Sequence, residues 1–269
     1  MGKIGFFDSG FGGLAIMRDV VKKLPQYNYI YLGDTARGPY GPLNRLDVRR
    51  YAEQAVEFLF EQGCELIILA CNTATCQALR FIQQERLPQI DPAKRVLGVI
   101  VPAAEVAVEL TKNQRVGVMA TDGTVESGSF VEELQKLRSD ITVVQQACPG
   151  LVPLIEAGEH HSPMLRAALY EYINPLKSAG IDTLILGCTH YGLIADDIAE
   201  AAGNDIQILS EGPIVAEKLA DYLGRHPEIE ARLAKTSGRT FFSTRIDDFN
   251  RHASEFYGSS VRASYIELT

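Results

Sequence analysis

The chain reads as an α/β protein built from two pseudo-symmetric, doubly wound parallel-sheet domains, with the active site in the cleft between them. Three observations predict this. Short Ile- and Leu-rich runs alternate with helical patterns of roughly 10 to 20 residues, the order that makes parallel βαβ units. The stretch Gly63–Ala74, GCELIILACNTA, returns as Gly180–Tyr191, GIDTLILGCTHY, with a glycine eight positions ahead of a cysteine in both. The opening strand and its turn, KIGFFDSG at Lys3–Gly10, are echoed by RVGVMATDG at Arg115–Gly123. Gly5 lies 112 residues before Gly117 and Cys71 lies 117 before Cys188, so two related halves each present one thiol at the end of a corresponding strand.

The elements follow in order. A strand at Ile4–Phe7 runs through a glycine loop into a helix reaching about Leu24, and a second strand covers Tyr29–Leu32. The segment Gly33–Pro42, GDTARGPYGP, is too rich in Gly and Pro for either regular structure and reads as a loop. From Leu43 to Gln62 the pattern is an amphipathic helix: Val48, Ala52, Ala55, Val56, Leu59 and Phe60 share one face, opposite Arg45, Arg49, Glu53 and Glu57. The strand Leu66–Ala70 ends on Cys71, and a helix near Thr73–Glu85, a strand at Val96–Val99 and a helix from Pro102 complete the first half. Proline suits that first helical turn. The second half replays the order, with strands near Arg115–Met119, Ile141–Val144, Thr183–Leu186 and Ile206–Leu209. A last strand at Thr240–Ser243 and a helix at Ile246–Tyr257 follow. The crossing falls near residues 97–115. Domains are expected at 1–97 and 98–210, with the segment 211–269 returning toward the first.

At 269 residues there is ample material for such a core, and 46% apolar with 22% charged residues is the composition of a globular protein. A net charge of −8 without a basic patch argues against a nucleic-acid partner. The start, MGKIGFF, is too short an apolar run for a signal peptide, and no stretch approaches the roughly 20 residues of a membrane span. A cytoplasmic location is expected, where five cysteines stay reduced.

Strand carboxyl ends are where open α/β sheets bind ligands, which puts Cys71 and Cys188 where chemistry is done. A single cysteine would be read as buried and inert; two at matched positions, followed by Asn72-Thr73 and Thr189-His190, favour function. Those four residues begin helices, whose free amides can bind a carboxylate and lower a thiol's pKa; as N-caps alone, they would leave the paired cysteines ahead of them unexplained. The loop Asp8–Ala15 matches G-x-G-x-x-A after a strand, with Asp34 ending the next, a dinucleotide fingerprint on paper. Asp8, however, puts a carboxylate where a pyrophosphate needs only amides. Asp8 and Ser9 are better placed to meet an ammonium group or orient a thiol, while a helix-capping turn is the plain alternative. Tyr40 and Gly41 offer a hydroxyl and a backbone amide, unless their loop is mere surface. Zinc is disfavoured: Cys71-x4-Cys76 lacks the spacing of a structural site. Cys64 and Cys148 read as inert; Glu156 could line the cleft, but it and His160-His161 read better as solvated surface.

A cysteine beside a histidine suggests acyl transfer, and His190 keeps that alternative open. A hydrolase, however, has no use for a matching thiol from an equivalent position of a duplicated half. Racemisation does need the pair: one group takes a proton from a carbon and the other returns one to the opposite face. One thiol must then be thiolate, which a modest downward shift from about 8.5 would supply.

Four motifs in order, DSGFGG at 8–13, LGDTARGPYG at 32–41, ACNTAT at 70–75 and GCTHY at 187–191, resemble the glutamate racemases of the cofactor-independent aspartate/glutamate racemase superfamily. The resemblance covers nearly the whole chain. It implies that Cys71 and Cys188 are the two acid/base residues and that Asp8, Ser9, Tyr40, Gly41, Asn72, Thr73, Thr189 and His190 hold the amino acid. It further implies no metal or other cofactor, a glutamate substrate, a homodimer, and supply of D-glutamate to peptidoglycan. The chain departs from the family pattern at Gly192, where proline is usual, and at Leu209–Gly212, which replaces an Asp-Ser pair. An aspartate racemase, a Cys-dependent amidohydrolase or decarboxylase, and a non-catalytic amino-acid-binding regulator are the other readings.

Overall fold

The computed structural model describes residues 2–269 and contains two parallel sheets flanked by helices. Ten strands build them: β1 Lys3–Asp8, β2 Tyr29–Gly33, β3 Cys64–Leu69, β4 Arg95–Gly98, β5 Arg115–Ala120, β6 Thr142–Ala147, β7 Thr183–Gly187, β8 Gln207–Leu209, β9 Arg239–Ser243 and β10 Ser264–Tyr265. The first sheet runs β10-β9-β2-β1-β3-β4 and the second β6-β5-β7-β8. Without β9 and β10, the two orders are the same, and both cysteines follow the third strand of their half. The registers match as well, since Phe7 of β1 pairs with Leu69 and Met119 of β5 pairs with Leu186. Among the described residues, no helix is long and apolar enough to cross a membrane.

The duplicated turn glycines explain where the repeat begins. Gly63 has φ +84° and Gly180 φ +72°, left-handed values that Gly adopts without steric cost. Each reverses the chain after a helix so that the strand leading to the cysteine can start. Side chains then alternate across the sheet. Ile4, Phe6, Leu66 and Ile68 pack on one face with the helices Gly13–Lys23 and Glu211–Arg225, and with Leu184 and Leu186 of the second half. Phe7, Ile67 and Leu69 pack on the other, against Val48, Ala52, Val56 and Leu59 of the helix Arg45–Glu61. The first of these cores is shared by both halves and holds them on either side of the cleft.

Several elements differ from their sequence reading. The helix after Cys71 spans Asn72–Phe81, widens into a π-helical turn at Ile82–Arg86 and continues as Leu87–Ile90. Pro88 is the cause we assign: it has no N–H for the carbonyl of Gln84, and its ring would crowd that oxygen in a regular helix. After Cys188 the chain forms a 3₁₀ helix at Thr189–Ile194 before the α-helix Ala195–Ala202, rather than entering an α-helix at once. Gly192 lies in that turn, and a Cβ added there would meet nothing within 4 Å. β6 starts one residue later than expected and extends to Ala147, and β10 carries no pattern the sequence reading could use.

Candidate active site

β1, β3 and β7 bring their carboxyl ends to one cleft. β3 delivers Cys71, 5% exposed, as the N-cap of the helix Asn72–Phe81, and the Ala74 amide donates to its Sγ at 3.4 Å. The Cys71 thiol in turn lies 3.5 Å from Ser9 Oγ and donates to it. β7 delivers Cys188, 8% exposed, with Sγ 3.9 Å from His190 Nδ1. His190 is wedged between Phe11 and Phe256, with ring centroids at 5.6 and 5.5 Å, and its Nε2 lies 3.0 Å from Glu156 Oε1.

Asp8 ends β1 between the two arms. Its Oδ2 accepts the Gly10 amide at 3.0 Å and its Oδ1 accepts from Thr189 Oγ1 at 3.4 Å. A pyrophosphate would need that same Gly10 N–H, and Asp34 is engaged as well, by Arg37 Nε at 2.7 Å and by the hydroxyls of Tyr40 and Thr244. The glycine loop is therefore built around a carboxylate and has no vacant amide cradle at Gly10. Tyr40 is 1% exposed, packs against Phe7 and Tyr51 and donates its hydroxyl to Asp34, whereas the sequence alone has it offer that hydroxyl to a ligand. The Gly41 carbonyl accepts the Gly123 amide from the opposite half at 3.2 Å. Thr73 Oγ1 lies 3.0 Å from Thr121 Oγ1 and 3.3 Å from Thr124 Oγ1, also across the halves.

The thiol acidities run against the sequence reading. Burial pushes Cys71 up to about 12, with the neighbouring Asp8 carboxylate adding to the rise and the bonds from Ser9 and Ala74 opposing it. Burial also pushes Cys188 well above the usual thiol range, helped by the charges of Cys71, Asp8 and Glu211. The helix amides point the right way, but loss of water around a buried sulfur outweighs them. Asp8 itself is raised by burial, with the opposing pull of His190 next in size.

Two residues that sequence reasoning set aside or passed over belong here. Glu156, expected at the surface, ends the helix Leu151–Glu156 and holds His190; a lone acidic residue gives no local sign of such a partner. Glu211, 4% exposed, accepts from Asn72 Nδ2 at 2.8 Å. Its only trace was the departure at Leu209–Gly212. Cys64 and Cys148 are buried away from the cleft chemistry, and burial raises each to about 12. Cys76 faces Ser127, Ser129 and Thr124, not Cys71. His160 and His161 pair with Glu255 and Asp197 outside the cleft. Among the described residues, no group of three or more His, Cys, Asp or Glu side chains is placed to hold a metal ion.

The family model described as Asp/Glu/Hydantoin racemase matches residues 8–219. A glutamate racemase of Bacillus cereus is 37% identical over 98% of this chain and 97% of its own. The crystal structure of glutamate racemase isoform RacE1 from Bacillus anthracis superposes with TM-score 0.90 at 31% identity, over 99% of this chain and 98% of that one. The glutamate racemase of Francisella tularensis, solved in complex with D-glutamate, superposes with TM-score 0.89 at 29% identity, again over 99% and 98%.

Proposed function

The chain belongs to the Asp/Glu/Hydantoin racemase family, and from that premise we propose that it interconverts L- and D-glutamate by two-base proton transfer between Cys71 and Cys188. The observation that carries the mechanism is the pair of buried thiols at equivalent strand ends of two matching sheets, each with its own proton acceptor. The substrate is glutamate by analogy with relatives that match nearly end to end.

Each arm must turn a reluctant thiol into a base only when substrate is present. On the Cys188 side, Glu156 accepts the Nε2–H of His190, which fixes the tautomer with Nδ1 as an acceptor for the thiol proton. On the Cys71 side, Ser9 accepts from the thiol, and Asp8 sits close enough for its charge to be felt. A bound amino acid places its ammonium among Asp8, Ser9 and Asn72, bringing a positive charge that favours thiolate over thiol. Its carboxylates meet the helix start at Asn72-Thr73 and the Thr189-His190 turn, with Tyr40 and Gly41 closing the cleft wall. Cys188 then takes the α-proton of L-glutamate while Cys71 delivers a proton to the opposite face; the reverse holds for D-glutamate. The same reading makes the protein a cytoplasmic homodimer that supplies D-glutamate for peptidoglycan.

Polarimetry with L-glutamate, L-aspartate and L-glutamine, with ammonia measured alongside, tests this. Loss of rotation from L-glutamate without ammonia, in a colourless enzyme indifferent to EDTA, is the expected result. Preference for aspartate, release of ammonia, a visible aldimine band, or no turnover of any substrate would each overturn it.

A further inference from the structure

Glu211 has no part in the proton transfers just described, yet it is a carboxyl group buried beside them. It begins the helix Glu211–Arg225, directly after β8 in the second half. Its Oε2 accepts from Nδ2 of Asn72, 3% exposed, which begins the helix after Cys71 in the first half. Both remaining oxygens, Glu211 Oε1 and Asn72 Oδ1, are buried with no hydrogen-bond partner among the described residues. Buried polar atoms left without partners are rare and call for a reason. Glu211 also lines a cavity of about 190 Å³ together with Cys188, Thr189 and Ser210.

An amide held by its nitrogen has its oxygen fixed in direction. With one Nδ2 hydrogen donated to Glu211, the orientation of the Asn72 amide is set and Oδ1 is its unpartnered acceptor; an ammonium group is the part of an amino acid that an acceptor binds. We infer that Glu211 is a positioning residue: from the opposite half of the molecule it sets the Asn72 amide so that Oδ1 meets the substrate's ammonium. Burial holds the Glu211 carboxyl well above the ordinary carboxylate range, with the Asp8 charge contributing and the bond from Asn72 opposing. Protonated or ionised, the carboxyl accepts from Nδ2 through an oxygen, so the hold on Asn72 does not depend on its charge. The inference rests on the reading of the cleft as an amino-acid racemase site.

Steady-state racemisation is followed by circular dichroism in both directions for wild type, Glu211→Ala, Glu211→Ser and Glu211→Gln, with melting curves to confirm folding. Alanine should raise KM for both enantiomers roughly tenfold, the size of one lost hydrogen bond, and change kcat far less. Glutamine, whose side-chain oxygen can accept from Nδ2, should recover most of that loss. In an Asn72→Ala background, Glu211→Ala should add no further change, because its effect passes through Asn72. An unchanged KM in a folded alanine or serine variant overturns the inference, as does a glutamine variant as impaired as alanine. If neither small variant folds, the glutamine result decides alone. An inactive wild type would defeat the racemase reading, whereas an active wild type indifferent to Glu211 defeats only this inference.

Discussion

Replacing Gly12 by alanine should disable the Cys188 arm without unfolding the protein. Gly12 sits at φ −59°, ψ −38°, a conformation any residue adopts, so its backbone does not require glycine. The reason for glycine is space. An added Cβ would lie 2.5 Å from Thr189 Oγ1 and 2.8 Å from His190 Nδ1, where ordinary contact begins at 3.4 Å. Those two side chains would have to give way by about 0.9 and 0.6 Å respectively. His190 has little freedom to do so, because Phe11, Phe256 and Glu156 hold it. The movement would fall on the 3.9 Å approach of Nδ1 to the Cys188 thiol. A misplacement approaching 1 Å in a catalytic group costs about 100-fold in rate, or about 2.7 kcal/mol at the transition state. The melting temperature should fall modestly, since displacing two buried side chains costs about 1–3 kcal/mol against the smaller gain from a more restricted unfolded chain. The assay is kcat/KM by circular dichroism in both directions, with Gly192→Ala as a control, where an added Cβ meets nothing within 4 Å. A folded Gly12→Ala enzyme within about threefold of wild type would refute the claim that this close approach positions His190.

Further outcomes follow from the same geometry. Run in D2O from pure L-glutamate, early product should carry deuterium while remaining substrate keeps its hydrogen, because each thiol serves one face; Cys71→Ala and Cys188→Ala should each abolish racemisation, and full activity in either variant would remove that cysteine from the mechanism. Stability should fall with rising pH through the buried acids: burial raises Asp8 and Glu211 above their ordinary values of 3.8 and 4.5, so their contribution is complete below those values and is lost as pH climbs through the folded-state ones. Glu211→Gln has no proton to lose, so its melting temperature should gain on wild type as pH rises above 4.5, and parallel curves would show that Glu211 does not titrate differently on folding.

What could be read from the sequence was what the backbone demands locally. Gly63 and Gly180 announce the repeat because a left-handed turn is needed at both, and the apolar runs behind them announce parallel strands by their length and composition. Cys71, Asn72 and Thr73 fall at a strand-to-helix junction by position alone. The pairings that complete the site carry no such mark. His190 finds Glu156 at a distance of 34 residues within the second half, and Asn72 finds Glu211 at 139 across the halves, contacts that exist only once distant stretches of chain have packed together. The thiol acidities escaped for a related reason. Helix amides can be counted along the chain, but the depth at which the sulfur is buried depends on both halves at once.

The return of β9 and β10 to the first sheet fixes the order in which the molecule can be finished during synthesis. β2 is hydrogen-bonded on one side to β1, and on the other to β9 at Arg239–Ser243, some 200 residues further along. The second sheet has all four of its strands once Leu209 has emerged, while the earlier-made sheet still lacks two of its six. Translation delivers roughly 5–20 residues per second, so the flank of β2 waits seconds for its partner. In most multidomain chains the part made first is completed first; here the part made first is completed last, and a ribosome that stalls between Leu209 and Arg239 leaves a nascent chain with an open strand edge.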